Sequence, residues 1–452
     1  MWLVIESSGF PITEPTPGLN ELGDIGQPLL KRTSVATATW ALFVGLALVM
    51  VGNGLNGSVV GLRSDAAGFD ATVISVIMAA YFAGFLAGTV CAESALKSVG
   101  HIRVFAALAS IASSVVLVQA LSVNAPTWMF TRFLFGACMA GIYVVVESWL
   151  NGLATNTTRG RILSVYMIVS MGGVGAGQLL LNVNDSSGFT LFIIISVLVS
   201  ISLVPVTLSA SSAPPLVTPE SMGLRILIQR VPTGVVSSFF GGAGAGALLG
   251  MGAVYGSSVG MQPGRLSLFL LAPMVGALLF QWPIGWLSDK LPRRAVLFGV
   301  SVAAALTPLV ALAVPALSPL ALVAMVLLGG SLFPFYSLTI AHTNDWLEAK
   351  EILSASGTLV RINGTGAVTG PLLAGSLMSA FGPRLFFWSL SAIFCAAAVF
   401  ILGRIVSKDP LPRERQRRYA PMPVRALSGA TNLIPRRRRN DAGIPSGRMV
   451  NK

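Results

Sequence analysis

The sequence predicts an all-α membrane protein in which twelve transmembrane helices form two pseudo-symmetric six-helix halves, and three observations lead there. The 452 residues are 54% hydrophobic and only 10% charged, with a mean hydropathy of +0.77, too apolar for a chain that must keep a solvated surface. Apolar runs of the ~20 residues that a bilayer core demands recur along the chain. A break rich in Ser, Pro and Glu at 209–225 divides those runs into two sets of six. The 48 glycines and 26 prolines lie scattered through apolar stretches, which excludes a collagen-like or disordered chain. Barrel strands would alternate in polarity, and these runs do not.

Residues 1–35 read as a disordered extension, and the apolar run at 1–5 is too short for a cleavable signal because Glu6 ends it. The N-terminal half, 36–208, holds spans at 38–61, 71–94, 102–123, 126–151, 161–182 and 189–208, with Pro, Gly, Asn or charge at each boundary. A linker at 209–230, containing Pro214, Pro215 and Pro219, leads to the C-terminal half, 231–406. Its spans fall at 231–258, 265–287, 295–315, 318–341, 354–380 and 384–406. Small-residue tracts at 52–57, 172–177, 241–250 and 364–371 suit close or sliding helix contacts of a rocking bundle, with static packing as the alternative. Cys91, Cys138 and Cys395 lie far apart in apolar runs without CxxC spacing, and read as small buried hydrophobes.

The net charge of +13 is a property of the tail: 13 of the 30 Lys and Arg residues lie from Arg404 onward. Residues 407–452 therefore read as a basic tail attracted to anionic lipid, not as a nucleic-acid-binding domain, with docking of a partner as the alternative. Placing the N-terminus in the cytoplasm puts Lys97, Arg103, Arg159, Arg161, Arg225, Arg230, Lys290, Arg293, Arg294 and Lys350 on inner loops and only Arg63, Arg265 and Arg384 on outer ones. That asymmetry, with an even span count, predicts both termini inside a bacterial plasma membrane.

Several strings carry candidate chemistry. Between the eighth and ninth spans the chain reads Gly285-Trp286-Leu287-Ser288-Asp289-Lys290-Leu291-Pro292-Arg293-Arg294. A glycine there admits close helix approach, the carboxylate suits a helix N-terminus or an arginine, and the basic pair holds the loop inside. The corresponding loop of the first half keeps Gly100 and Arg103 but lacks an aspartate. In the fourth span, Arg132 and Gly136 precede Tyr143 and Glu147, all within about 60° on one helix. An intramembrane arginine marks a functional site or a buried structural one, the latter satisfied by Asn53 and Asn56. Glu147-Ser148-Trp149-Leu150 and His342-Thr343-Asn344-Asp345-Trp346 occupy equivalent inner ends of the two halves, with both tryptophans placed in the interfacial belt.

The Gly285–Arg294 string, with Pro292 in place of the usual glycine, resembles the loop motif of the major facilitator superfamily. Arg132-x-x-x-Gly136 resembles that superfamily's intramembrane pattern, and Glu147-Ser148-Trp149-Leu150 with His342-x-Asn344-Asp345 is similar to its bacterial YcaD-like branch. The resemblance spans about residues 36–406 and implies a secondary transporter working by alternating access. It also implies a gate in which Asp289 meets Arg159, Arg161 or the start of the fifth span, with Arg293, Arg294 and Asp345 nearby. The Gly-Pro pair of the superfamily's antiporter motif is absent from the fifth span, which reads Gly177-Gln178, and occurs instead as Gly370-Pro371 in the eleventh.

The function expected is transport of a small solute through a midplane cavity formed by Asn53, Asn56, Arg132, Tyr143, Gln178, Gln281, Arg361 and Asn363. Two arginines among them favour an anionic solute, and Glu147 is the candidate carrier of a coupling proton. Efflux of amphipathic compounds and a transporter-like sensor are the alternatives. No GxxxxGK[ST], Gly-x-Ser-x-Gly or His-Glu-x-x-His string occurs, and His101 and His342 are the only histidines, so no catalytic residue, metal site or cofactor is expected. The partners expected are the solute, a proton and the bilayer, for a monomer.

Overall fold

The computed structural model describes residues 21–155, 158–183, 188–208, 222–316, 318–348 and 351–407, with Gln416 and Tyr419 (side chains from residue 39 onward, Glu93 excepted). Regular structure among them is helical: α1 (Glu21–Ala66), α2 (Ala71–Val99), α3 (His101–Leu121), α4 (Ala125–Leu153), α5 (Arg159–Leu179), α6 (Thr190–Ile201), α7 (Leu203–Leu208), α8 (Leu224–Arg230), α9 (Pro232–Ser258), α10 (Pro263–Lys290), α11 (Arg293–Ala313), α12 (Pro319–Asp345), α13 (Ile352–Phe381) and α14 (Leu385–Ser407). A single 3₁₀ turn, Leu180–Asn182, prolongs α5.

Local chemistry sets the ends. The Asp70 carboxylate accepts from the Thr72 N–H at 2.9 Å to start α2, and Asn124 does the same for Thr127 at 2.9 Å in α4. Proline occupies the first turn of α4, α9, α10 and α12, where its missing N–H costs nothing. Gly100 (φ 86°) and Gly382 (φ 92°) close α2 and α13 in a conformation that side chains resist.

Eleven stretches are long and apolar enough to cross a membrane; α6 and α7 together make one of them. The twelfth long helix, α13, has 30 residues but carries Thr358, Arg361, Asn363, Thr365 and Thr369, which lower its hydropathy. The expected fold class stands, with three differences in detail. The first helix begins at Glu21, within the extension predicted as disordered. A short helix, α8, forms inside the linker. The sixth span breaks at Ser202. The readings placed on residues 1–20, 209–221, 408–415 and 420–452 lie outside the described residues.

Both halves repeat one packing scheme: α1 on α5 and α2 on α4 in the first, α9 on α13 and α10 on α12 in the second. Glycines make these contacts backbone-close. A Cβ on Gly242 or Gly246 would strike the Asn363 or Ala367 carbonyl, and one on Gly366 or Gly370 would strike the Phe239 or Ala243 carbonyl. Gly54 and Gly177 serve α1 and α5 in the same way, Gly84 and Gly136 serve α2 and α4, and Gly276 and Gly329 serve α10 and α12. Lipid offers no hydrophobic drive between helices, so such close packing supplies the cohesion.

The halves meet through α2 with α13, α5 with α10, and α1 with α9. At the end of the bundle away from the basic loops, Ser257 donates to Asp65 at 2.6 Å, Ser379 to Asp70 at 2.9 Å, and Asn182 to Ser267 at 2.9 Å. We call this the far end and the opposite one the basic end. Cys138 is buried as expected, whereas Cys91 and Cys395 are exposed, because their positions fall on the outer faces of α2 and α14.

Candidate functional site

A cleft lies between the halves, and its two walls differ in chemistry. Asn53, Ser58, Tyr81, Arg132 and Gln178 come from the N-terminal half. Leu248, Leu249, Leu270, Pro273, Met274 and Met325 come from the C-terminal half. Among the described lining residues Arg132 is charged and none is acidic. An apolar extension of the cleft is lined by Phe85, Leu86, Tyr336, Val360 and Asn363.

The polar wall is built from behind. Gly136 lets α4 approach α2 at Tyr81, and one turn earlier the Arg132 guanidinium lies 4.5 Å from the centroid of the Tyr81 ring. Arg132 Nη1 donates to Asn56 Oδ1 at 2.7 Å, and Asn56 Nδ2 donates to Gln119 Oε1 at 2.9 Å. The Tyr81 hydroxyl donates to Asn53 Oδ1 at 3.0 Å, leaving Asn53 Nδ2, on a residue only 5% exposed, without a protein acceptor. Gln178 donates to the Gly54 carbonyl at 3.0 Å and accepts from Ser58 at 2.6 Å. These bonds hold a buried arginine and one unspent amide donor at the cleft.

Of the residues expected in the cavity, the structure thus gathers Asn53, Arg132, Gln178 and Asn363, with Asn56 behind them. It does not bring Arg361 to them. That residue is exposed and lies about 60–160° around α13 from the Val360, Asn363, Gly364 and Ala367 stripe, so Arg132 is the one arginine among the described lining residues. Tyr143 is buried, its hydroxyl on Met50 Sδ at 2.9 Å and its ring edge-on to Phe85. The Arg132-to-Glu147 stripe therefore faces packed helices over most of its length. Glu147 is fully buried and accepts from the Tyr166 hydroxyl at 2.7 Å.

At the basic end the halves have related corners of different charge. Arg293 pairs with Asp345 at 2.7 Å, each side chain 2% exposed, while Asp289 stands 3.4 Å from Arg293. Arg294 lies 5.0 Å from the Trp346 ring centroid, and His342 meets the same ring edge-on. In the first half His101 meets Trp149 edge-on and hydrogen-bonds Ser148 at 3.0 Å. Ser148 precedes Trp149 as Asp345 precedes Trp346, so a neutral pair occupies the place of an ion pair. Trp149, at 1% exposed, is an interior residue and not the interfacial one expected, because the α3 start packs over it. Arg159 is half-buried and Arg161 exposed at the start of α5.

Gln281 is engaged elsewhere than expected: its Nε2 donates to Ser337 and to the hydroxyl of Tyr419, both at 2.7 Å. The Tyr419 N–H donates to Asp289 Oδ1 at 2.8 Å, and its ring lies against Gly285. Burial pushes the Tyr419 phenol above the usual tyrosine range. Sequence reasoning missed Tyr81, Gln119 and Tyr419. The first two sit singly in apolar runs, where an isolated polar residue was the available signal, and nothing local marks the third.

Comparison with known proteins agrees with this geometry. The Major Facilitator Superfamily model matches residues 233–440. An uncharacterized MFS-type transporter of Salmonella typhi, YcaD, is 26% identical over 375 residues, covering 82% of this chain and 96% of its own. An uncharacterized MFS-type transporter of Yersinia enterocolitica, YE1530, is 25% identical over 333 residues, covering 73% of this chain and 86% of its own. Among solved structures, a mutant of the nucleoside transporter NupG superposes with a TM-score of 0.70 at 11% identity, covering 82% of this chain and all of that one. A bacterial homologue of the human lysosomal transporter Spinster, in an inward-facing and unoccupied conformation, gives 0.64 at 14% identity, covering 82% and 96%. Helical architecture, central cleft and relatives converge: the chain is similar over most of its length to membrane transporters of the major facilitator type, and its second half matches the superfamily's model.

Proposed function

We propose that the protein moves a small amphipathic solute with an anionic or strongly hydrogen-bond-accepting head, by alternating access. The division of the cleft carries this reading: Arg132, Tyr81 and the unspent Asn53 amide on one wall, aliphatic side chains on the other, and no acid among the described lining residues. A guanidinium beside amide donors matches a carboxylate or phosphate, and the facing apolar wall takes the body of the solute. The contacts that join the halves at the far end support a state closed there. With the basic end in the cytoplasm, as the loop charges favour, that state is inward-open, like the Spinster homologue. The test is thermal stabilisation of the purified protein by matched acids, amides and amines sharing one apolar body. The acid should stabilise most, and Arg132→Lys should weaken it about tenfold, near 1.4 kcal/mol. An amine that stabilises as well as the acid overturns the reading.

Should a proton be the coupling ion, Glu147 is its carrier in this reading, since the carboxylate is fully buried beside the Tyr166 hydroxyl. Glu147→Gln should then abolish accumulation driven by a pH gradient in proteoliposomes, and retained accumulation assigns coupling to another group or ion.

A further inference from the structure

The basic-end stretch of α10 offers a docking surface occupied by a residue of the tail. Gln281 and Gly285 lie seven and eleven residues beyond Met274, which places them within about 20° of Met274 on the helix and roughly 10 and 16 Å along it. Met274 lines the cleft and touches Gly175 of α5, so this face of α10 is the one that bears α5 of the other half. At the basic end the same face carries Tyr419: ring on Gly285, hydroxyl on Gln281, N–H on Asp289. Closing the basic end brings α5, which starts at Arg159, onto α10 there.

We infer that Tyr419 is a built-in wedge, which competes with α5 for α10 and for the Asp289 carboxylate and so holds the transporter closed at its far end. The inference rests on the alternating-access reading above. Its steric part is specific. Alanine at Gly285 favours the helix, and the three described atoms nearest its methyl group all belong to the Tyr419 ring. Two substitutions in different parts of the chain should therefore have one effect.

The experiment measures the far-end separation of the halves by electron-spin distance spectroscopy on the full chain. Labels go on Val123→Cys and Ala313→Cys, with Cys91, Cys138 and Cys395 replaced by alanine. Tyr419→Ala and Gly285→Ala should each raise the long-distance population at least threefold over the parent. A synthetic peptide of residues 412–424 should reverse the first and not the second. Superimposable distributions for parent and either variant, or a peptide acting equally on both, overturn the wedge. The double variant Ser257→Ala, Ser379→Ala serves as reference. If it opens the far end while Tyr419→Ala does not, the wedge alone fails. If nothing opens the far end, alternating access fails with it.

Discussion

At the corner where α10, α11 and α12 meet, Arg293 and Asp345 face each other with 2% of either side chain exposed, so neither can turn to water if the other is removed. Asp345→Ala leaves Arg293 with the partly exposed Asp289 at 3.4 Å as its remaining carboxylate, and should cost about 2–3 kcal/mol, below the full cost of an unpaired buried charge, read as a lowered unfolding midpoint in detergent. Ser148→Ala, at the matching position of the first half, removes one partner of a neutral hydrogen bond to His101 and should cost about 1 kcal/mol. Equal losses would contradict the asymmetry of the two corners. Ser148-Trp149 and Asp345-Trp346 were both visible in the sequence. What sequence could not show was the partner of each, because His101 and Arg293 stand far from Ser148 and Asp345 along the chain and reach them only through helix packing. Arg361 failed for a related reason: a charge within a span is legible, whereas its face is fixed by which neighbours α13 chooses.

Helix pairs explain the small-residue tracts. Of the two readings of these tracts, close or sliding contact and static packing, the tracts of α9 and α13 fit a fixed contact within one half, since Gly242 and Gly246 meet α13, and Gly366 and Gly370 meet α9, at backbone distance. Where the halves meet, several glycines touch side chains instead: Gly61 faces Met78 and Val254, and Gly364 faces Leu86 at 3.1 Å. Backbone cannot move aside, but the end of a leucine can. Gly246→Val should thus destabilise by about 1–3 kcal/mol or prevent accumulation of folded protein, whereas Gly364→Ala should fold normally. Size-exclusion profiles and unfolding midpoints distinguish the two. The tracts were legible as a composition; their role within or between halves required the register of the facing helix.

Taken whole, the molecule is two bundles joined at one end, and that joint is sensitive to acid. Asp70 is held below the usual carboxylate range, first by the Thr72 N–H and then by the Ser379 hydroxyl of the other half. The Thr72 cap lies within α2 and persists when the halves part, so only the Ser379 share of the lowering ties the charged form to the joined state. The contribution is complete above the usual carboxylate range near pH 4 and fades as pH falls through the lowered value. Far-end separation between labels at 123 and 313 should therefore increase below about pH 4, and Asp70→Asn should flatten that response. A second expectation concerns orientation. Alkaline phosphatase fused after Lys452 should be inactive and fused after Asn182 active, and the reverse pattern would invert the assignment of ends. Fold class was legible because span length and spacing are properties of the chain alone. The one-sided polarity of the cleft was not, since it depends on which residues of twelve helices face each other.

The far-end contacts are hydroxyls and one amide, set against two carboxylates and another hydroxyl. Such bonds at a water-accessible rim contribute on the order of 1 kcal/mol each, so their sum is only a few kcal/mol. A rim latched so lightly gives the protein no preferred direction of its own. It behaves as a turnstile with a weak spring, and the sign of net flux follows whichever side holds the solute, or a coupled ion, at the higher chemical potential.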